Sequence, residues 1–243
     1  MSKHGAFRRR LVYAWRRHGW RLFGPVLLHN LARGCARLRG RHVALRAGEI
    51  DRRLGLDTWR EESTALMDVD GANLMHGNAY QPVGEAAFRR VVARLGIDPA
   101  GHDFVDYGSG KGRALLLAAE LGFRRIFGVE YARELHEAAL ANVARARGAC
   151  PGAERIECVW SDAAAFVPPA GDLVCFLYNP FDGTVLRALL DRLAASVAAA
   201  PRDILVAYLN PLHRDVADAH PALTLQHAEA DLAVYRVVRG PGG

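Results

Sequence analysis

The sequence predicts an α/β fold, a doubly wound and largely parallel sheet preceded by a basic helical extension. Three observations predict it. From about residue 100 strand-like and helix-like segments alternate. The run 172–178 is almost continuously apolar, as a strand covered on both faces must be. The first strand ends in a glycine turn, Asp106-Tyr107-Gly108-Ser109-Gly110-Lys111-Gly112-Arg113, that leads straight into a helix. Alternation of this kind implies parallel strands joined by right-handed crossovers.

In chain order, residues 7–46 read as basic helices broken at Gly24-Pro25 and Gly40. On a helical wheel Leu11, Trp15 and Leu22 share one side, and Arg10, Arg17 and Arg21 the next. Residues 84–95 read as a helix with Ala87, Phe88, Val91, Val92 and Leu95 inward. Then come a strand at 103–107, a helix at 111–121 and a strand at 125–130. A helix at 132–147 places Leu135, Ala138, Ala139 and Val143 on one face. Strands follow at 154–160 and 172–178, a helix at 185–199 and a strand at 203–209. Segments 223–228 and 233–238 close the chain as a hairpin pair. The division this suggests is a basic, mostly helical extension over 1–70 and an α/β domain over 71–240.

Composition bounds the answer. A chain of 243 residues, 51% hydrophobic and 24% charged, supports one good core plus an appendage. The net charge of +6 hides a split: residues 1–60 hold 15 basic residues against three acids, and the rest 17 against 23. The basic character therefore belongs to the first quarter. It fits a solvated helix face, docking on nucleic acid or an acidic protein, or a membrane-surface helix with Trp15, Trp20 and Phe23 dipping inward. Cys35, Cys150, Cys158 and Cys175 show no paired or metal-like spacing, and the histidines do not cluster. Reduced thiols and the lack of a long apolar run predict a cytoplasmic protein with no metal.

The glycine turn predicts a nucleoside-containing ligand. Glycines let the backbone approach a ligand closely, and the helix start behind them presents free N–H groups. One strand later Gly128-Val129-Glu130-Tyr131 delivers a carboxylate suited to the two hydroxyls of a ribose. A phosphate-binding P-loop fails here, since Val105 lies five before Gly110 and Gly112 follows Lys111. A dinucleotide turn fits poorly, because the third glycine comes one residue early and Asp106 would repel a pyrophosphate.

Asp106-x-Gly108-x-Gly110-x-Gly112 resembles the turn of class I S-adenosylmethionine-dependent methyltransferases. Asp51-Arg52-Arg53-Leu54-Gly55-Leu56-Asp57-Thr58, Tyr80-x-Pro82, Asp162-Ala163 and Asn179-Pro180-Phe181 extend the resemblance to a bacterial group of undefined substrate over residues 49–215. The Gly-Ser-Gly-Lys-Gly-Arg turn is also similar to that of seven-strand protein-lysine methyltransferases. The resemblance implies a seven-strand sheet with six strands parallel and the last inserted antiparallel. It implies that S-adenosyl-L-methionine is the cofactor, with its ammonium end on Asp106 and the backbone of Gly108, Ser109, Gly110 and Gly112 as cradle. Glu130, with Tyr131 beside it, would hold the ribose, and Asp162 with the Ala163 amide the adenine. Ser161-Asp162 suits a helix N-cap as well, and both roles can hold.

Asn179-Pro180-Phe181 resembles the Asn-Pro-Pro-Tyr/Phe motif of enzymes that methylate nitrogen, with one proline missing. The resemblance implies that Asn179 orients the acceptor and Phe181 packs on it; the alternative is a plain strand-ending turn. Tyr80, in Asn78-Ala79-Tyr80-Gln81-Pro82, is either a lid on the cofactor or a packed loop tyrosine. His213 is either a base reaching the site or a surface residue. The expected function is methyl transfer to a nitrogen nucleophile, a protein side chain before RNA or a small molecule. A nucleotide-dependent oxidoreductase and a non-catalytic cofactor-binding protein are the alternatives from other classes.

Overall fold

A computed structural model describes residues 48–59 and 80–239. The expected basic helices at 7–46, Cys35, Asn78-Ala79 and the 70/71 domain boundary lie outside the described residues.

The sheet grows from short apolar segments too hydrophobic to face water. Its strands are β1 (Asp103–Tyr107), β2 (Ile126–Glu130), β3 (Ile156–Trp160), β4 (Leu173–Tyr178), β5 (Ile204–Leu209), β6 (Leu223–Ala228) and β7 (Leu232–Val237). They lie in the order β3-β2-β1-β4-β5-β7-β6. Strands β1 to β5 pair in parallel, and β7 runs antiparallel to both its neighbours, β5 and β6. The expected doubly wound, Rossmann-like sheet is therefore observed, with six strands in one direction and β7 reversed. The central strands β1, β4 and β5 are buried almost throughout, which is why their sequences show no alternation.

Helices α1 (Glu49–Leu54), α2 (Glu85–Leu95), α3 (Arg113–Glu120), α4 (Arg133–Ala146), α5 (Gly183–Ala199) and α6 (Arg214–Asp218) complete the described chain. One face of the sheet packs on α2, α3 and Ile50 of α1, around Phe88, Phe104 and Phe176. The Phe88 ring meets Phe104 and Phe176 edge-on at centroid distances of 5.7 and 5.3 Å. The other face packs on α5 through Leu186, Leu189, Leu190 and Leu193. No described helix is long and apolar enough to cross a membrane.

Two short helices carry no periodic signal in the sequence, α1 with six residues and α6 with five. Such lengths hold less than two turns, so their apolar spacing cannot be told from chance. The helix expected from residue 111 begins at Arg113, because Gly112 takes a left-handed conformation, φ 82°, and caps it. Helix α5 begins two residues early, at Gly183, where the Asp182 carboxylate accepts from the Thr184 and Val185 amides at 2.9 and 3.3 Å.

Candidate active site

The parallel strands all end on one rim of the sheet. Asp106, Glu130, Ser161-Asp162 and Tyr178-Asn179 sit at or just beyond the ends of β1, β2, β3 and β4. Ligands of open α/β sheets bind outside these carboxyl ends, beside the point where strand order reverses. Here β1 is that point, since β2 lies to one side of it and β4 to the other. Among the described residues a cavity opens there. Tyr80, Asp106, Gly108, Ser109, Gly110, Glu130, Tyr131, Asp162, Ala163, Asn179, Pro180 and Phe181 all line it. Of the residues expected at the site, Gly112 alone is not in the wall; it lies one turn behind, against Ala139 of α4.

The turn after β1 is shaped by what touches it. A side chain at Gly108 would place Cβ 2.3 Å from Pro180, and one at Gly110 would place it 2.1 Å from the Tyr80 ring. Both glycines also hold positive φ, 84° and 53°. The loop is therefore wedged between the end of β4 on one side and Tyr80 on the other. The two glycines are required by contact as well as by backbone conformation.

Two carboxylates share this wall. Asp106 is 4% exposed and Glu130 3%. The Glu130 carboxylate accepts from the Gly110 amide at 2.8 Å and, through its other oxygen, from the Ala132 amide at 2.8 Å. Burial pushes its pKa up to about 7, against the pull of the backbone N–H groups. Burial, with the Glu130 charge adding to it, pushes Asp106 up to about 8. Two acids in a dry wall favour a ligand that brings positive charge and hydroxyl donors.

Asp162 accepts from the Ala164 amide at 2.8 Å, but residues 163–165 form only a turn, so the helix N-cap considered from sequence is not formed. The same residue lines the cavity. Asn179 has φ 45°, a strained conformation for a residue with a side chain. Asn210, which also precedes a proline at a strand end, has φ 50°. The left-handed asparagine is thus a strand-ending device used twice, and only at Asn179 does it face the cavity. Phe181 is 7% exposed and belongs to the α5 side of the core, which holds its ring in place.

Tyr80 is buried, and its hydroxyl donates to the Thr58 carbonyl at 2.6 Å, so the tyrosine both packs in the loop and lines the cavity. His213 caps α6 and is outside the cavity wall; its amide donates to the Tyr208 hydroxyl at 3.4 Å. The base role considered for it from sequence therefore has no support in its placement.

The sequence reading missed Arg113. This guanidinium is 2% exposed and donates to the Val83 carbonyl at 2.7 Å, Asp51 at 2.8 Å, Thr58 Oγ1 at 3.0 Å and Glu85 at 3.1 Å. It also stacks 4.7 Å from the Trp59 ring. An arginine at the start of a helix reads as a surface residue, and its partners lie 28 to 62 positions away. The only hint was Asp51 and Thr58 in the quoted motif. Leu135, Phe176 and Tyr178 also enter the wall, as core-type residues with no chemical signature.

No family model and no curated protein sequence matches the chain. Among solved structures it is similar to the magnesium protoporphyrin IX methyltransferase of Synechocystis PCC 6803 with bound SAM, at 15% identity over 64% of this chain and 77% of that one, TM-score 0.46. It is similar to a SAM-dependent O-methyltransferase of Thermotoga maritima, at 13% identity over 68% and 69%, TM-score 0.48. A third is an RNA methyltransferase of Salinibacter ruber in complex with S-adenosyl-L-homocysteine, at 18% identity over 67% and 95%, TM-score 0.43. At these scores the likenesses carry no inference about activity, which rests on the residues of the site. The sheet order, with β7 reversed between β5 and β6, is the seven-strand class I architecture that the sequence resemblance implies.

Proposed function

We propose that this protein is an S-adenosylmethionine-dependent methyltransferase acting on a nitrogen nucleophile, a protein side chain first among them. One observation carries the cofactor reading. Asp106 and Glu130 are buried together in the wall of one cavity, on either side of a glycine turn with no room for a β-carbon at Gly108 or Gly110. A cationic nucleoside fits this donor set, and a pyrophosphate does not. Asp106 would hold the ammonium end, Glu130 the ribose hydroxyls, and Asp162 with the Ala163 amide the adenine.

The bound sulfonium supplies an electrophilic methyl carbon and leaves as a neutral thioether. What the chain contributes is position and dryness. Asn179, fixed in its left-handed turn between Tyr178 and Pro180, would accept the acceptor's N–H and aim its lone pair into the cavity. Phe176, Tyr178 and Phe181 would exclude water around it. If the acceptor is a lysine, ordinarily protonated up to about pH 10.4, such an apolar wall lowers its pKa and favours the neutral amine that attacks. Nitrogen is favoured over oxygen by the Asn179-Pro180-Phe181 motif alone.

Calorimetry with S-adenosylhomocysteine tests the cofactor. Wild type should bind and Glu130→Ala should not; equal binding by both rejects the assignment. Asn179→Ala should keep cofactor affinity and lose most turnover, and full turnover removes Asn179 from acceptor orientation. Labelled S-adenosylmethionine with size-fractionated cell extract identifies the acceptor. Label in protein supports the reading, whereas label in RNA or a small molecule replaces it. An NADH fluorescence change on mixing would favour the oxidoreductase instead.

A further inference from the structure

Residues 48–59 lie before the sheet in sequence, yet they are built into the back of the glycine turn. Ile50 and Thr58 are fully buried, and Asp51 is 4% exposed. Asp51 Oδ1 accepts from the Thr58 amide at 3.0 Å and from its hydroxyl at 2.6 Å, closing the segment into a loop. Arg113, the first residue of α3, ties that loop to the turn through Asp51 Oδ2 and Thr58 Oγ1. A second tie runs through Asn142 of α4, which accepts from the Asp57 amide at 3.3 Å and donates to the Lys111 carbonyl at 3.1 Å. The far end of the loop reaches the cavity wall, since the Thr58 carbonyl accepts from the Tyr80 hydroxyl. The Tyr80 ring in turn lies against Gly110, whose amide donates to the ribose-type carboxylate of Glu130.

We propose that segment 48–59 is a clasp that positions the cofactor site: Asp51, Thr58 and Arg113 hold Tyr80 against Gly110, and through it keep the Gly110 amide on Glu130. These are positioning residues, since none but Arg113 borders the cavity and its guanidinium is turned to Val83, Asp51, Thr58 and Glu85. A buried arginine with four acceptors exceeds what a loop needs to cover a helix end. Its cost in desolvation is offset only because the network is complete. Its effect on cofactor affinity rests on the methyltransferase reading; its effect on Gly110 does not.

Tyr80→Phe isolates the clasp, because it keeps the ring against Gly110 and deletes only the bond to Thr58. Hydrogen exchange of the Gly110 amide in the unliganded protein should quicken roughly three- to tenfold, the worth of one hydrogen bond. The affinity for S-adenosylhomocysteine should fall by a similar factor. Val197→Ala, a core truncation in α5, is the control for general loosening: it should lower the melting temperature and move neither readout. Unchanged exchange at Gly110, faster exchange with unchanged affinity, or equal shifts in Val197→Ala each overturn the proposal. If wild type fails to bind S-adenosylhomocysteine, the methyltransferase reading falls, and the exchange measurement alone decides whether the clasp holds Gly110.

Discussion

At the scale of single residues, Asp106 and Glu130 set opposing demands on stability and binding. In the unfolded chain these carboxyls ionise near their ordinary 3.8 and 4.5; in the fold they keep their protons to about pH 8 and about pH 7. Between these limits the folded state binds more protons than the unfolded one. Stability therefore falls as pH rises from about 4 to about 8 and levels beyond. Melting curves of the unliganded protein should show this slope. Asp106→Asn should flatten much of it, raise the melting temperature at pH 8 and abolish binding of S-adenosylhomocysteine. A lower melting temperature for the variant at pH 8 would contradict the buried-charge account. Gly110→Ala belongs at the same scale. A left-handed alanine costs on the order of 1–2 kcal/mol, before the Tyr80 ring is displaced from the space its β-carbon needs. A destabilisation above this range in denaturant unfolding, with loss of binding, is the expected result.

At the scale of elements, α1, α2 and α3 are joined by one buried arginine. Arg113→Ala would leave Asp51 charged and buried without its partner, at a cost of about 3–5 kcal/mol in denaturant unfolding. Arg113→Ala combined with Asp51→Ala should lose less than the two single changes added together, as coupled partners do. A strictly additive double variant would show that the pair is not coupled. The start of α5 offers a milder case. Asp182→Ala removes a cap from a helix of 17 residues and should cost about 1 kcal/mol. Contrast the ends of β4 and β5: both close on a left-handed asparagine before proline, and only the first faces the cavity. The same local device thus serves a turn at one strand and borders the candidate acceptor site at the other.

At the scale of the whole molecule, charge in the cavity couples ligand binding to pH. A cationic ligand needs both carboxylates ionised, so binding near pH 6 must displace up to two protons and weaken as pH falls through about 8 and about 7. The stabilisation by saturating S-adenosylmethionine, about 2.7 kcal/mol at a hundred times its dissociation constant, should shrink at fixed concentration on acidification. Calorimetry in two buffers of different ionisation enthalpy would count the protons; no buffer dependence near pH 6 would refute the coupling. How far this could be foreseen differs from level to level. The strands, the crossovers and the wall residues Asp106, Glu130, Asp162 and Asn179 were legible, because they depend on local signals: apolar runs, glycine spacing and strand-ending acids. The short helices α1 and α6, the wall positions Leu135 and Phe176, and the buried role of Arg113 were not. What the sequence determined alone was the order of elements and the chemistry of the turn, since both follow from residues within a few positions of one another. Only the tertiary structure decided that Tyr80 lies on Gly110, that Pro180 lies on Gly108, and that Asp51 and Thr58 brace the turn through Arg113. Those contacts join residues 30 to 72 positions apart, and burial, which turns two ordinary acids into proton-holding ones, exists only once the chain has closed around them.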